Sequence, residues 1–194
     1  MISLLLAVEG LAYYIGREKP ISSVERADLG KIIKRNRDIK KRIDMLAPDG
    51  RYIVVDTARS LLSLKKGEKV ILQAVISSGN GSILRDPNGA RQWVFDTPRG
   101  EFEVKGKVRG PVWIKPDWAF IEEGEDIPKN WKARIEEGVL GDYALAFGNG
   151  YFIHGTLYTR LLGRNVTHGC IRVGNKELES IYNLVKVGTK IYIF

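Results

Sequence analysis

Short apolar runs separated by glycine-rich turns dominate the chain after residue 50. Runs of this length, many of them rich in β-branched residues, predict short strands rather than helices. They lie at residues 51–56, 60–64, 69–77, 101–108, 110–114, 143–147, 151–155 and 190–194. "KKGEK" at residues 65–69 predicts a hairpin turn between two of the runs. We therefore predict a mainly β fold, a curved mixed or antiparallel sandwich with a few short helices.

Two segments have a helical pattern instead. From Ser22 to about Leu46, apolar residues recur every three or four positions, and Ser22 and Glu25 have the spacing of a capping box. "NKELESIYNLV" at residues 175–185 predicts a second helix near the C-terminus. "APDG" at Ala47–Gly50 ends the first helix, so we divide the chain into an N-terminal helical segment, residues 1–50, and a β domain, residues 51–194.

The chain is basic, with a net charge of +8 and a pI near 9.5. This balance favours an acidic partner, but no RNA-binding signature accompanies the scattered aromatic residues, so nucleic acid is disfavoured. Seven of the basic residues lie in the helical stretch 31–42. We favour a solvated helix face there, and contact with an anionic membrane or wall polymer is the alternative.

The first sixteen residues, "MISLLLAVEGLAYYIG", are apolar apart from Glu9. They predict either part of a membrane anchor or a packed helix. No basic residue precedes the apolar run and no A-x-A-like cleavage site follows it, so a complete secretion signal is disfavoured.

The only two histidines and the only cysteine fall within 17 residues, as His154, His168 and Cys170. These side chains perform proton transfer and nucleophilic attack near neutral pH, so their clustering predicts a working site. If "THGCIR" is extended, His168, Cys170 and Arg172 project to one side, and the adjacent cations lower the pKa of the thiol. The N–H groups of Gly169 and Cys170 are then candidate oxyanion donors.

Two other interpretations of the cluster remain. A lone histidine is more often a hydrogen-bonded core residue than a functional one, but joint clustering with the sole cysteine disfavours that here. Zinc also binds histidine and cysteine, yet the chain has no fourth such ligand and the spacing matches no zinc motif. We therefore predict no metal and no cofactor.

The motifs around the cluster resemble one family. "HGT" at residues 154–156, ten further residues and then "THGCIRV" resemble the signature of the L,D-transpeptidase catalytic domain of bacterial cell-wall synthesis. "DTPRGEF" at 96–102, "VISSG" at 75–79 and "GDYALAFGNGYFIHGT" at 141–156 are similar to further elements of that family. The resemblance extends from about Arg51 to Phe194 and implies the fold of that catalytic domain.

The resemblance also implies roles for individual residues. Cys170 matches the nucleophile, His154 the base and His168 a second histidine beside the thiol, with the Gly155 carbonyl orienting His154. The other signature residues would bind substrate; they are Arg172, Thr167, Gly169 and Thr156. The charged, Trp-containing segment 115–141 departs from a minimal domain, and its position suggests a lid or wall of the cleft.

The implied activity is a cysteine acyl transfer in the cell envelope. Cys170 would attack the amide between an L-centre and the terminal D-alanine of a peptidoglycan stem peptide and pass the acyl group to an amine. Carbapenems are inhibitors of such sites. Hydrolysis of the same bond, as in an L,D-carboxypeptidase or endopeptidase, is the enzymatic alternative. A non-catalytic wall-binding module is the alternative from another class.

Overall fold

The computed structural model describes residues 23–46, 48–87, 89 and 91–194, which form two compact units divided after Leu46. The first unit contains helix α1, Ser23–Leu46, which matches the helix predicted from the apolar spacing. The proposed anchor at residues 1–16 and the capping serine at residue 22 lie outside the described residues. No helix among the described residues is both long enough and apolar enough to cross a membrane.

The second unit consists mainly of short strands, as predicted. The strands are β1 Arg51–Asp56, β2 Leu61–Lys66, β3 Lys69–Gly79, β4 Ile83–Arg85, β5 Gln92–Val94, β6 Gly100–Glu103, β7 Gly106–Arg109, β8 Val112–Ile114, β9 Ile135–Glu137, β10 Tyr143–Gly148, β11 Tyr151–His154, β12 Asn165–Thr167, β13 Ile171–Val173 and β14 Lys190–Ile193. Helices α2, Asp117–Glu123, and α3, Asn175–Leu184, interrupt the series. Two 3-10 turns span Trp131–Arg134 and Thr159–Leu161.

One mixed sheet holds most of these strands, in the order β6-β14-β1-β2-β3-β13-β11-β10-β7, and β12 also pairs with β3. Three of its pairings are parallel: β1 with β14, β11 with β13 and β12 with β3. The β2–β3 hairpin turns at Gly67, which has a φ of 55°, where "KKGEK" predicts it. β4 pairs with β5 and β8 with β9 in two separate ribbons.

The sheet is curled because its two outer strands are neighbours in sequence. β6 and β7 lie at opposite ends of the strand order, yet only residues 104 and 105 separate them. Val104 is fully buried and its N–H donates to Thr189, while the N–H of Lys105 donates to Ala146 of β10. This short connection draws the two edges together. The predicted curved, mixed β architecture is thereby confirmed.

The concave side of the sheet encloses a single large apolar cluster. Strand residues such as Ile53, Leu145 and Ile171 are fully buried in it, and α3 contributes Leu178 and Ile181. Burying side chains of this size stabilises the fold by about 1.5–3 kcal/mol each. The ends of β3, β11 and β13 are therefore anchored in a rigid core, and these are the strands that carry the residues of the candidate site.

Candidate active site

The backbone around Cys170 is a tight loop between two strands. β12 and β13 both pair with the end of β3, β12 at Ser78 and Gly79 and β13 at Ile76 and Ser77. Residues 168–170 belong to neither strand, and Gly169 has a φ of 116°. The expectation that "THGCIR" is continuously extended is therefore wrong, because β12 and β13 run in opposite directions along β3 and the chain must turn between them.

Two threonine hydroxyls hold this loop. Thr167 Oγ1 donates to the carbonyl of Cys170 at 2.6 Å and accepts from the N–H of Gly169 at 3.2 Å. Thr97 Oγ1 donates to the carbonyl of Gly169 at 2.9 Å and accepts from the N–H of Gly79 at 2.8 Å. The N–H of Gly169, expected as an oxyanion donor, is thus already paired with Thr167.

Glycine is required at residue 169 for a packing reason as well. A Cβ built there would lie 2.6 Å from the ring of Tyr151 and 2.9 Å from the carbonyl oxygen of Asp96. Its φ of 116° is also strained for any residue with a side chain.

His154 is the last residue of β11 and is buried. Its Nδ1 lies 2.7 Å from the carbonyl oxygen of Gly155. A carbonyl only accepts, so Nδ1 carries the hydrogen and Nε2 of the neutral ring has a free electron pair. Burial lowers the pKa of His154 to about 4, assisted by the charge of Arg172 and opposed by the backbone of Gly155 and Leu140. At neutral pH the imidazole is therefore uncharged and able to accept a proton.

The Gly155 carbonyl is itself fixed by close packing on Asn175. The side-chain oxygen of Asn175 accepts from the N–H of Thr156 at 3.1 Å, and a Cβ on either Gly155 or Gly141 would overlap that oxygen. Thr156 is buried, and its hydroxyl accepts from the N–H of Tyr158 at 2.9 Å. Thr156 and Thr167 were expected to bind substrate, whereas in the structure their hydroxyls support the loops beside the site. Asn175 could not be predicted, because no motif spacing connects it with the site.

Cys170 directly precedes β13, and Arg172 within that strand is the register partner of His154. Burial raises the pKa of the Cys170 thiol, and this effect exceeds the lowering by the Phe152 backbone and by Arg172. The expected lowering of the thiol pKa is therefore wrong, because desolvation of a thiolate costs more than one partly buried guanidinium returns. Nε of Arg172 is buried and has no hydrogen-bond partner among the described residues.

His168 faces the inserted segment 115–141. Its Nε2 lies 2.7 Å from Oε2 of Glu122, and its ring stacks on Trp118 at 4.4 Å between centroids with an interplanar angle of 28°. Phe95 meets the same ring edge-on at 4.5 Å. Trp118 and Glu122 belong to α2, so the insertion forms a wall beside His168. The segment was expected at the cleft, but neither Trp118 nor Glu122 was singled out by the sequence.

No group of three or more histidine, cysteine, aspartate or glutamate side chains suited to a metal occurs among the residues the structure describes. The groups that the site brings together are suited to acid–base and nucleophilic chemistry. They are the Cys170 thiol, the neutral buried imidazole of His154, the imidazole of His168 beside Glu122, and the guanidinium of Arg172.

Comparison with known proteins identifies the family. The YkuD-type L,D-transpeptidase catalytic domain matches residues 50–193. The putative L,D-transpeptidase YqjB of Bacillus subtilis is 31% identical over 146 residues, which cover 75% of this chain and 72% of YqjB. The probable L,D-transpeptidase YbiS of Escherichia coli is 32% identical over 117 residues, but these cover 58% of this chain and only 38% of YbiS.

A solved structure agrees with these sequence matches in fold. The L,D-transpeptidase of Xylanimonas cellulosilytica superposes with a TM-score of 0.55 at 22% identity, covering 76% of this chain and 62% of that one. The chain therefore belongs to the L,D-transpeptidase catalytic-domain family, whose members are cysteine acyltransferases. This confirms the family inferred from the histidine and cysteine motifs.

The lowered pKa of His154 predicts acid sensitivity of the fold. Below pH 6.5 the unfolded chain binds a proton that the folded protein does not take up until about pH 4, so stability falls as the pH drops through this window. The free energy of unfolding should fall by about 3 kcal/mol between pH 7 and pH 4 from this group. His154→Gln should not show this part of the loss, as measured by urea unfolding at pH 7 and pH 4. Between pH 7 and pH 8.5 the free energy of unfolding should change equally in the two proteins. Equal loss of stability between pH 7 and pH 4 would contradict the lowered pKa of His154.

The raised pKa of Cys170 predicts that the resting enzyme holds a thiol rather than a thiolate. The rate of alkylation by iodoacetamide should still be rising above pH 9, the ordinary value for the group. Arg172→Met should slow alkylation at each pH by up to about tenfold, because it removes a charge that stabilises the thiolate. Arg160→Met, at an exposed residue, is the control. An alkylation rate that reaches a plateau by pH 8 would show a preformed thiolate and would contradict the raised pKa of Cys170.

Proposed function

We propose that this chain is a peptidoglycan L,D-transpeptidase with Cys170 as its nucleophile. The observation that carries the proposal is the state of His154. It is neutral and buried, and its Nδ1 is 2.7 Å from the Gly155 carbonyl. It ends β11, the strand that pairs with β13, and β13 begins directly after Cys170. Membership of the family supports the same reaction class.

In the first half-reaction, the Cys170 sulfur attacks the carbonyl carbon of the amide between the L-centre and the terminal D-alanine of a stem tetrapeptide. Because the thiol is protonated at rest, His154 Nε2 acts as the general base and takes the sulfur proton as the bond forms. The same nitrogen then returns the proton to the departing amine of D-alanine. A thioester on Cys170 remains.

Arg172 is the proposed binding group for the substrate carboxylate. Its Nε is buried and has no hydrogen-bond partner in the part of the chain that the structure describes, and its charge acts on both His154 and Cys170. A carboxylate of the substrate would supply the missing hydrogen-bond acceptor. Gly169 would let the stem peptide approach the loop backbone, and Thr167 and Thr156 would maintain the shape of that surface. The substrate is thus a stem peptide with a free carboxylate.

In the second half-reaction an amine attacks the thioester. The amine belongs to a neighbouring stem peptide in a 3→3 cross-link, to a protein side chain or to a free D-amino acid. Attack by water instead would make the protein an L,D-carboxypeptidase or endopeptidase. Cross-links of this kind strengthen the wall and contribute to cell shape.

Incubation of the full chain with a purified tetrapeptide muropeptide should yield cross-linked dimers and free D-alanine. Mass spectrometry should show an acyl adduct on Cys170 that is absent from Cys170→Ala. His154→Ala should lower the acylation rate by roughly 10²–10⁴, the usual contribution of a positioned base. A carbapenem, whose strained amide mimics the scissile bond, should acylate the same sulfur.

Lys132→Ala, at an exposed residue of a 3-10 turn, is the control and should behave as the unsubstituted chain. Formation of tripeptide without dimers would show that the protein hydrolyses the bond and does not transfer the acyl group. A retained adduct on Cys170→Ala would place the nucleophile elsewhere. Absence of any adduct on the unsubstituted chain would favour a non-catalytic wall-binding module.

We further propose that the protein works in the cell envelope, in the periplasm or at the extracytoplasmic face of the membrane, and that α1 contacts an anionic lipid surface. The helix exposes a row of large apolar side chains together with its basic residues. The exposed apolar residues are Leu29, Ile32, Ile33 and Ile39. An amphipathic helix with cationic flanks binds the interface of an anionic bilayer without crossing it.

Sedimentation with phosphatidylglycerol vesicles tests this contact. The full chain should bind them and should bind phosphatidylcholine vesicles weakly. Replacing Lys34 and Arg35 by glutamate should lower partitioning by roughly 10–100-fold, since each basic residue near such a surface contributes about 1 kcal/mol. Lys129→Glu with Lys132→Glu, in the catalytic unit, is the charge-matched control. Equal binding by both double variants would contradict the role of α1.

A further inference from the structure

The pair formed by His168 and Glu122 is not used by the first half-reaction. Oε2 of Glu122 lies 2.7 Å from Nε2 of His168, and the ring is held between the stacked Trp118 and the edge-on Phe95. Nδ1 of His168 makes no hydrogen bond within the described part of the chain. The His168 side chain is 33% exposed, so this nitrogen can meet a substrate group.

The two imidazoles are prepared in opposite ways. His154 has its Nδ1 on a neutral backbone carbonyl and is buried, which disfavours a positive charge. His168 has its Nε2 on the carboxylate of Glu122 and is partly exposed, so the hydrogen is held on Nε2 and the electron pair of Nδ1 is left for another group. His154 is the register partner of Arg172, and His168 lies two residues before Cys170 in the loop that leads into β13. One ring is therefore enclosed and oriented by a backbone carbonyl, and the other is open to solvent and oriented by a carboxylate.

The second half-reaction needs a base that can be reached by the incoming amine. As an amine nitrogen bonds to the thioester carbon it becomes positively charged. It must lose a proton before the carbon–sulfur bond breaks, because otherwise the amine itself is expelled. An accessible imidazole whose ring is oriented by a fixed carboxylate can take this proton.

We propose that His168 is the general base for the acceptor amine and that Glu122 is its positioning residue. This inference rests on the proposed function. The nitrogen–carbon bond forms and the proton on nitrogen passes to Nδ1 of His168. The carbon–sulfur bond then breaks with its electron pair on the sulfur of Cys170, and the imidazolium returns the proton to that sulfur. The new amide leaves and the thiol is restored.

Helix α2 places the carboxylate for this role. Trp118 and Glu122 are four residues apart, so they lie on the same face of α2 and both reach His168. The helix is held in turn by Asp117, which accepts from Arg91 at 2.6 Å and from Arg134 at 2.7 Å. The inserted segment thus supplies a rigid support for the second imidazole.

The test isolates the second half-reaction and compares two acceptors in it. The acyl-enzyme is formed with the tetrapeptide donor, and its decay is followed by mass spectrometry after adding either D-methionine or hydroxylamine. Hydroxylamine nitrogen is much less basic, so its adduct gives its proton to water and needs no enzymatic base. His168→Gln should slow transfer to D-methionine by roughly 10²-fold and Glu122→Gln by roughly tenfold. Transfer to hydroxylamine should change less than threefold in both variants.

Glu125→Gln is the matched control, because Glu125 follows α2 closely but contacts Lys115 at 3.4 Å and not His168. It should leave both transfers unchanged. Equal slowing with both acceptors would show a merely structural role, and no slowing with D-methionine would show that another base acts; either result overturns the inference. If His168→Gln fails to fold, Glu122→Gln alone decides. An unsubstituted chain that forms no acyl-enzyme would instead refute the proposed function, on which the inference rests.

Discussion

The two-residue connection between the outer strands of the sheet is the constraint on which the rest of the structure depends. β6 and β7 lie at opposite ends of the strand order, and only residues 104 and 105 join them. A flat sheet of this width cannot satisfy such a short link, so the sheet must curl and enclose its apolar face. Curling brings the buried ends of β3, β11 and β13 into the core. His154 is the last residue of β11, and Cys170 lies in the loop that leads into β13.

Much of the fold could be predicted from the sequence because its longer strands have clear patterns. The runs at 51–56 and 143–147 are β-branched or apolar and bounded by turns, and both are strands in the structure. The three-residue strands β4, β5 and β9 could not be predicted in this way, since three residues show no periodicity. Helix α2 was missed for a similar reason, because seven residues form barely two turns.

The candidate site was predictable where it depends on residue type and not where it depends on burial. The rarity of histidine and cysteine located His154, His168 and Cys170, and the family resemblance implied the contact of His154 with the Gly155 carbonyl. The direction of the Cys170 pKa shift was predicted wrongly, because neighbouring charges are visible in a sequence and desolvation is not. Asn175, Trp118 and Glu122 were missed because they reach the site from distant segments and share no motif with it.

The position of β14 between β1 and β6 has a consequence for how the domain acquires its structure. β14 hydrogen-bonds to β1 on one side and to β6 on the other, although about 90 residues or more separate it from both along the chain. During synthesis from the N-terminus, β1 and β6 lack their common neighbour until residue 193 has been made. Contacts so distant in sequence close slowly, because the loop entropy is lost before the pairing energy is gained. The sheet of the domain therefore stays incomplete until its last strand has been translated.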